Sequence, residues 1–237
     1  DRQKQLKALL EQRILVLDGA TGTSLQEMDL TAEDFGGPAL EGCNENLVIT
    51  RPDVVEAVHR GFLEAGADII ETNTFGSSSV VLEEYELADR ARELSRLGSE
   101  IARKAADQAS TGGQTRFVAG SMGPTTRALS VTGGISWEEL AVSYQEQAAG
   151  LLEGGSDFLL VETCQDTLNI KAALEGIDRA EKELGVEALV AVQGTVETMG
   201  TLLAGQDVEA LYVSLEHREL LWIGLNCATG PDFMTDH

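Results

Sequence analysis

Apolar and polar positions along this chain fall into one repeating unit, a short apolar run followed by an amphipathic segment of helical period. The runs are ILVLD (14–18), DIIET (68–72), RFVAGS (116–121), DFLLVET (157–163), ALVAVQG (188–194) and LLWIGLN (220–226). They are continuous rather than alternating, which predicts parallel strands covered on both faces. The segments between them predict helices. PDVVEAVHRGFLEAG (52–66) carries proline in its first turn and glycine at its stop. Helical patterns also span 87–109, 136–155, 167–184 and 207–218. Within these, SWEE predicts a capping box, with Ser136 reaching forward and Glu139 reaching back. The opening DRQKQLKALLEQR reads as a charged amphipathic helix without the apolar block of a signal peptide.

Unbroken βα alternation with no linker predicts that residues 1–237 form one domain, either a doubly wound sheet or a (β/α)8 barrel. Polar residues favour the barrel. Asp18, Thr72, Ser121, Glu162 and Asn226 each stand at or next to the C-terminal end of a run. Strand ends that converge on one rim are where a barrel keeps its active site, whereas an open sheet gathers them at one switch point. The expected fold is a TIM barrel with about the first six βα units in this chain, because such a barrel closes with eight. Its C-terminal part is expected to lie beyond His237.

Composition narrows the partners. A formal net charge of −23 argues against nucleic acid or an anionic membrane. No apolar stretch approaches the ~20 residues of a membrane-spanning helix. Cys43, Cys164 and Cys227 are odd in number and widely spaced, which fits a reducing cytoplasm better than a disulfide framework.

Several chemistries find no support. LDGATGT (17–23) places an acid and two glycines after the first run, but lacks the spacing of a Walker loop or a dinucleotide fold. No G-x-S-x-G elbow occurs. His59 and His217 lie in helical patterns and read as solvated or half-buried structural residues, and His237 is terminal. Two features remain. Glu162 follows a nearly apolar run, so its carboxylate needs a partner, either an internal cation or a ligand's ammonium. Cys227 follows the last run and precedes ATGP, a rim position where a thiolate could be nucleophile or metal ligand.

LDGATGT, EAGADIIETNTF (64–75), GSMGPT (120–125), GGSDFLLVETCQDTLNIKAA (154–173) and GLNCATGP (224–231) together resemble the homocysteine S-methyltransferase family, most closely its cobalamin-dependent members. The resemblance implies a (β/α)8 barrel that binds homocysteine and a zinc ion at its C-terminal rim. Three cysteine thiolates hold that zinc in the family. Cys227 matches the first, and the other two form an adjacent pair in a glycine-rich motif that this sequence does not contain. Cys43 and Cys164 match no ligand position. Zinc would deprotonate the homocysteine thiol, which otherwise titrates near ~8.5, so that it accepts a methyl group. In the resembling proteins the methyl comes from methylcobalamin, recharged from methyltetrahydrofolate, on other modules of the same polypeptide. The resemblance also assigns Glu162 to the homocysteine ammonium. Asp18, Gly19, Ala20, Thr21 and Thr72 fall near its amino and carboxylate groups, and Asn226 shapes the rim. Two alternatives stay open at this point: a free-standing methyltransferase using betaine or S-methylmethionine, and a homocysteine-binding barrel without transfer activity.

Overall fold

The computed structural model describes residues 2–235, and His237 lies outside them. Five parallel strands form the sheet: β1 (Ile69–Glu71), β2 (Phe117–Met122), β3 (Phe158–Cys164), β4 (Val190–Gly194) and β5 (Ile223–Leu225). Each pairs with the next in sequence, in the order β1-β2-β3-β4-β5. A doubly wound sheet reverses its strand order at a switch point, and no reversal occurs here. Six long helices accompany the strands: α1 (Arg2–Gln12), α2 (Pro52–Ala65), α3 (Ala91–Ala109), α4 (Trp137–Glu153), α5 (Thr167–Leu184) and α6 (Val208–Leu215).

The two faces of the sheet are buried in different ways. Ile70 and Val118 turn outward against Leu63 of α2 and Ala102, Ala105 and Ala106 of α3. Val161, Val190 and Val192 face α4 and α5. Alternate residues Ile69, Phe117, Ala119, Phe158, Leu160 and Ala191 turn inward and meet Leu6 of α1. Helix α1 therefore plugs the inner face of the sheet. This two-sided burial is why the strands read as continuous apolar runs. Outside, the helices pack closely because glycines lie at the crossings. A Cβ on Gly150 would come within 2.3 Å of the Arg92 carbonyl oxygen, where α4 meets α3.

Helix ends follow the expected chemistry. Pro52 opens α2, and Gly66 closes it at a φ of 110°, a conformation that costs glycine little. The Ser136–Glu139 capping box is formed at the start of α4.

Three expectations need correction. The run 14–18 forms no strand: only Leu17 bridges, in parallel, to Ile69. Ile14 is 90% exposed and Val16 57%, because this segment has a sheet neighbour on one side only. Among the described residues the sheet is thus an open arc of five strands and one bridge. The pattern over 87–109 starts with a 3-10 turn at Ala88–Arg90 before α3 begins. His59 is fully buried rather than solvated, with neither ring nitrogen hydrogen-bonded. Burial pushes it down to about 4, so it is neutral at physiological pH.

Candidate functional site

The inner face of the sheet changes character toward the C-terminal strand ends. Glu71 on β1 stands two residues beyond inward-facing Ile69, and Glu162 stands two beyond Leu160 on β3. The two-residue period of a strand puts both carboxylates on the inner face. Asp18 joins them from the segment after the Leu17 bridge. Its Oδ1 accepts the Glu71 backbone N–H at 2.7 Å.

A chain of hydrogen bonds ties these strand ends together. Thr72 Oγ1 accepts the Ser121 backbone N–H at 2.9 Å and lies 2.6 Å from Thr74 Oγ1. Ser121 Oγ donates to Glu162 Oε1 at 2.6 Å. Asn226 Nδ2 donates to Glu162 Oε2 at 3.2 Å and to Thr163 Oγ1 at 3.0 Å. The Asn226 side-chain oxygen accepts the Thr163 N–H at 3.1 Å. Glu162 is therefore fixed from β2 on one side and from the end of β5 on the other.

Charge in this cluster is not balanced by the described residues. No described lysine or arginine pairs with Asp18, Glu71 or Glu162. Burial, followed by the charge of Glu162, pushes Asp18 up to about 7, against the Glu71 N–H that lowers it. Burial also raises Glu71, with Glu162 and Asp18 adding like-charge repulsion. Glu162 is raised by burial and partly restored by the Ser121 hydroxyl. Asp18 is 8% exposed, and its Oδ2 has no hydrogen-bond partner. Buried carboxylates without a cation are costly, so the cluster is poised for a cationic ligand.

Beside it stands Cys227, exposed, with its Sγ 3.8 Å from Thr163 Oγ1. The backbone here is strained. Ala20, Thr163, Cys227 and Ala228 all take positive φ, at 54°, 56°, 60° and 44°. Such values are unusual for residues with a Cβ, and most of all for a β-branched threonine. At Thr163 the strain coincides with a register shift between Val161 and Cys164 in the pairing of β3 with β4.

The other cysteines do not join this thiol. Cys164 is buried, its Sγ 3.6 Å from the Val161 carbonyl, and burial pushes its thiol up. Cys43 is buried in the cluster around α2 and pushed up to about 11, first by burial and then by Glu45. No group of three or more His, Cys, Asp or Glu able to hold a metal ion occurs among the described residues. A tetrahedral zinc needs four ligands around one point, so the residues present do not fit zinc by themselves.

Of the sequence-predicted residues, Asp18, Glu162, Asn226 and Cys227 gather at this rim. Gly19, Ala20 and Thr21 form the turn from Asp18 into a short helix, Thr21–Gln26. Thr72 is buried, and its hydroxyl braces β2. Glu71 is the member that sequence reasoning did not single out. The signal was present in DIIET, where an acid ends an apolar run as Glu162 nearly does.

A parallel α/β protein with its strands ordered as in the chain, carrying its polar cluster at their carboxyl ends, belongs to the class that binds small ligands there. Comparison with known proteins gives the family. The homocysteine S-methyltransferase family model matches residues 15–237, and the chain belongs to that family. It is 49% identical over 228 residues to "Methionine synthase" of Mycobacterium leprae (strain TN), covering 96% of this chain and 19% of that protein. The methionine synthase of Mycobacterium tuberculosis (strain ATCC 25618 / H37Rv) is likewise 49% identical, over 229 residues, 97% of this chain and 19% of that protein. This chain thus spans about a fifth of the length of those relatives. Crystal structures of the homocysteine methyltransferase MmuM from Escherichia coli share the fold. The oxidized form gives a TM-score of 0.76 and covers 94% of this chain and 76% of its own, at 22% identity. The apo form gives 0.70 with 94% and 75% coverage, also at 22% identity.

Proposed function

We propose that residues 1–237 form most of one homocysteine-binding (β/α)8 barrel, a module of a cytoplasmic, methionine synthase-type methyltransferase. The observation that carries this reading is the uncompensated acid cluster of Asp18, Glu71 and Glu162 beside the exposed thiol of Cys227. An α-amino acid with a sulfur-bearing side chain suits both. Its ammonium supplies the cation that the buried carboxylates lack, while its sulfur lies toward Cys227.

In this reading Glu162 receives the ammonium, held in place by Ser121 and Asn226. Asp18 and the turn Gly19–Thr21 flank the amino and carboxylate groups, and Thr72 holds the strand end that positions Ser121. Asn226 fixes the backbone at Thr163 on the side of Cys227. Cys227 contributes one thiolate to a zinc site whose other two cysteines come from outside this chain. Methylcobalamin, recharged from methyltetrahydrofolate on other modules of the polypeptide, would supply the methyl group that homocysteine accepts. High identity to two methionine synthases of about five times this length supports that donor over betaine or S-methylmethionine.

The test is methyl transfer to L-homocysteine by the full-length protein, with methylcobalamin, betaine and S-methylmethionine offered separately. Methylcobalamin alone should support methionine formation, and about one zinc per chain should be lost in Cys227→Ala. Glu162→Gln should weaken homocysteine binding by about 2–5 kcal/mol, the usual cost of truncating a buried charge pair. Transfer from betaine would replace the donor proposed here. Absence of zinc with intact homocysteine binding would leave a binding module.

A further inference from the structure

We propose that Glu71 is a positioning residue that makes amine binding at this rim a proton exchange, a ligand's ammonium replacing a proton held in the Asp18–Glu71–Glu162 cluster. The inference rests on the reading that this rim binds the ammonium of an amino acid, and it deepens that reading by assigning the third carboxylate.

Geometry carries the argument. Glu71 and Asp18 are tied through the Glu71 N–H to Asp18 Oδ1, which holds the two residues together at the strand end. Asp18 Oδ2 is buried and unpartnered. Glu162 has one oxygen on Ser121 and the other on Asn226, whereas the Glu71 carboxylate makes no hydrogen bond or ion pair among the described residues. The titratable groups acting on Glu71 are Glu162 from β3 and Asp18 from the segment after Leu17, both acidic. No lysine, arginine or histidine is among them.

Asp18 and Glu162 are buried and Glu71 half-buried beside them. Three such carboxylates facing one another cannot all ionise without a cation, so the cluster holds a proton, in keeping with the upward displacement of all three acids. When R–NH3+ enters, its charge favours the ionised form and one proton leaves for solvent. Protonated cluster plus R–NH3+ gives the complex plus H+, and no bond within the ligand breaks. Glu71, unbraced and raised by both neighbours, is the acid that gives up that proton. A ligand without a cation has nothing to exchange, so the cluster selects for a free ammonium.

The experiment is calorimetry on the full-length protein near pH ~7, in two buffers of different ionisation enthalpy. The probe is L-methionine, which has no thiol proton of its own to lose. Wild type should release about one proton per ligand bound. Glu71→Gln should release clearly fewer protons, and its affinity should keep only the pH dependence that Asp18, pushed up to about 7, contributes. 4-(Methylthio)butanoate, the same chain without the amine, should bind without proton release or fail to bind. The two-ligand comparison on wild type tests the proton exchange itself even if the variant does not fold. A wild-type count of zero for L-methionine, or an unchanged count in Glu71→Gln, overturns the role of Glu71 alone. If wild type binds neither L-methionine nor L-homocysteine, the amino-acid reading falls and takes this inference with it.

Discussion

The two ends of the sheet hold the same kind of residue in opposite circumstances. At the N-terminal end, Asp68 before β1 and Asp157 before β3 are buried and matched by arginines. Arg13 and Arg116 lie 2.7 and 3.2 Å from Asp68, and Arg103 lies 2.7 Å from Asp157. Each aspartate also accepts a backbone N–H from a neighbouring segment, Val16 for Asp68 and Val118 for Asp157. At the C-terminal end, Asp18 grips the Glu71 N–H in the same way, yet neither it nor Glu71 nor Glu162 meets an arginine or lysine among the described residues. The N-terminal carboxylates are finished structural joints. The C-terminal ones are joints with the cation left out, and that difference separates a stabilising end from a binding end.

The largest test breaks the finished end. Arg103→Met removes the cation from Asp157, whose side chain is 7% exposed against 13% for Arg103. Removing one partner of a buried pair leaves an uncompensated charge and costs about 3–5 kcal/mol. Chemical denaturation should show that loss in the midpoint with an unchanged slope. A loss under about 1 kcal/mol, the range of exposed pairs, would mean that the two ends do not differ in the way described.

A second test sharpens the contrast through pH. Arg13 holds Asp68 below the usual carboxylate range, by its hydrogen bonds first. The stability from Asp68 is therefore present above about pH 4 and is lost as pH falls through its lowered value. Asp18 runs the other way. Raised from 3.8 to about 7, it favours the fold fully below about pH 4, and that contribution is lost as pH rises toward 7. Asp18→Asn keeps a side-chain oxygen for the Glu71 N–H but removes the charge. It should gain about 1–3 kcal/mol at pH ~8 relative to its effect at pH ~4, a part of the roughly 4 kcal/mol that a rise from 3.8 to about 7 represents at ~1.4 kcal/mol per unit. Asp68→Asn should lose stability at pH ~8 and lose less at pH ~3. Parallel pH profiles for the two variants would remove the distinction between the ends.

The strands are largely legible in the sequence and the unfinished end in part, whereas the arginine-matched aspartates of the finished end, Asp68 and Asp157, stand out only in the structure. Strands β1 to β4 read as apolar runs because each is covered on both faces, by helices outside and by α1 and its neighbours inside, while β5 is half-buried. That same two-sided burial hides which residues point inward. Glu162 stood out at the end of a long run, whereas Glu71 ended a short one and its inward direction emerges only from the company of Ile69. The failure at 14–18 has a related cause. ILVLD has strand composition, but composition does not reveal that Ile14 and Val16 lack a neighbour on their open side. Cys227 is exposed, in keeping with its position after the last apolar run. Cys164, close in sequence to Glu162, is buried where the register shift of β3 carries it off the rim.

Strain gives the smallest test of the same contrast. Ala20, Thr163, Cys227 and Ala228, all at positive φ, lie at the C-terminal end, whereas neither Asp68, Asp157 nor the arginines that hold them have such a backbone. Ala20 isolates this term best. It is exposed, at φ 54° and ψ 29°, and starts the short helix without a side-chain cap. Its carbonyl accepts the Ser24 N–H at 2.9 Å, a bond that substitution leaves intact. A left-handed alanine costs about 1–2 kcal/mol relative to the right-handed form, and glycine avoids most of that cost while adding entropy to the unfolded chain. Ala20→Gly should therefore raise stability by about 0.5–1 kcal/mol, a shift of a few degrees in Tm. The looser turn beside Asp18 should also weaken L-homocysteine binding by about twofold to fivefold, because the strained geometry preorganises the site. Higher stability with unchanged binding would show that the strain at Ala20 merely accompanies the unfinished end. Lower stability would show that the left-handed turn is not strained at all, leaving charge as the one difference between the two ends.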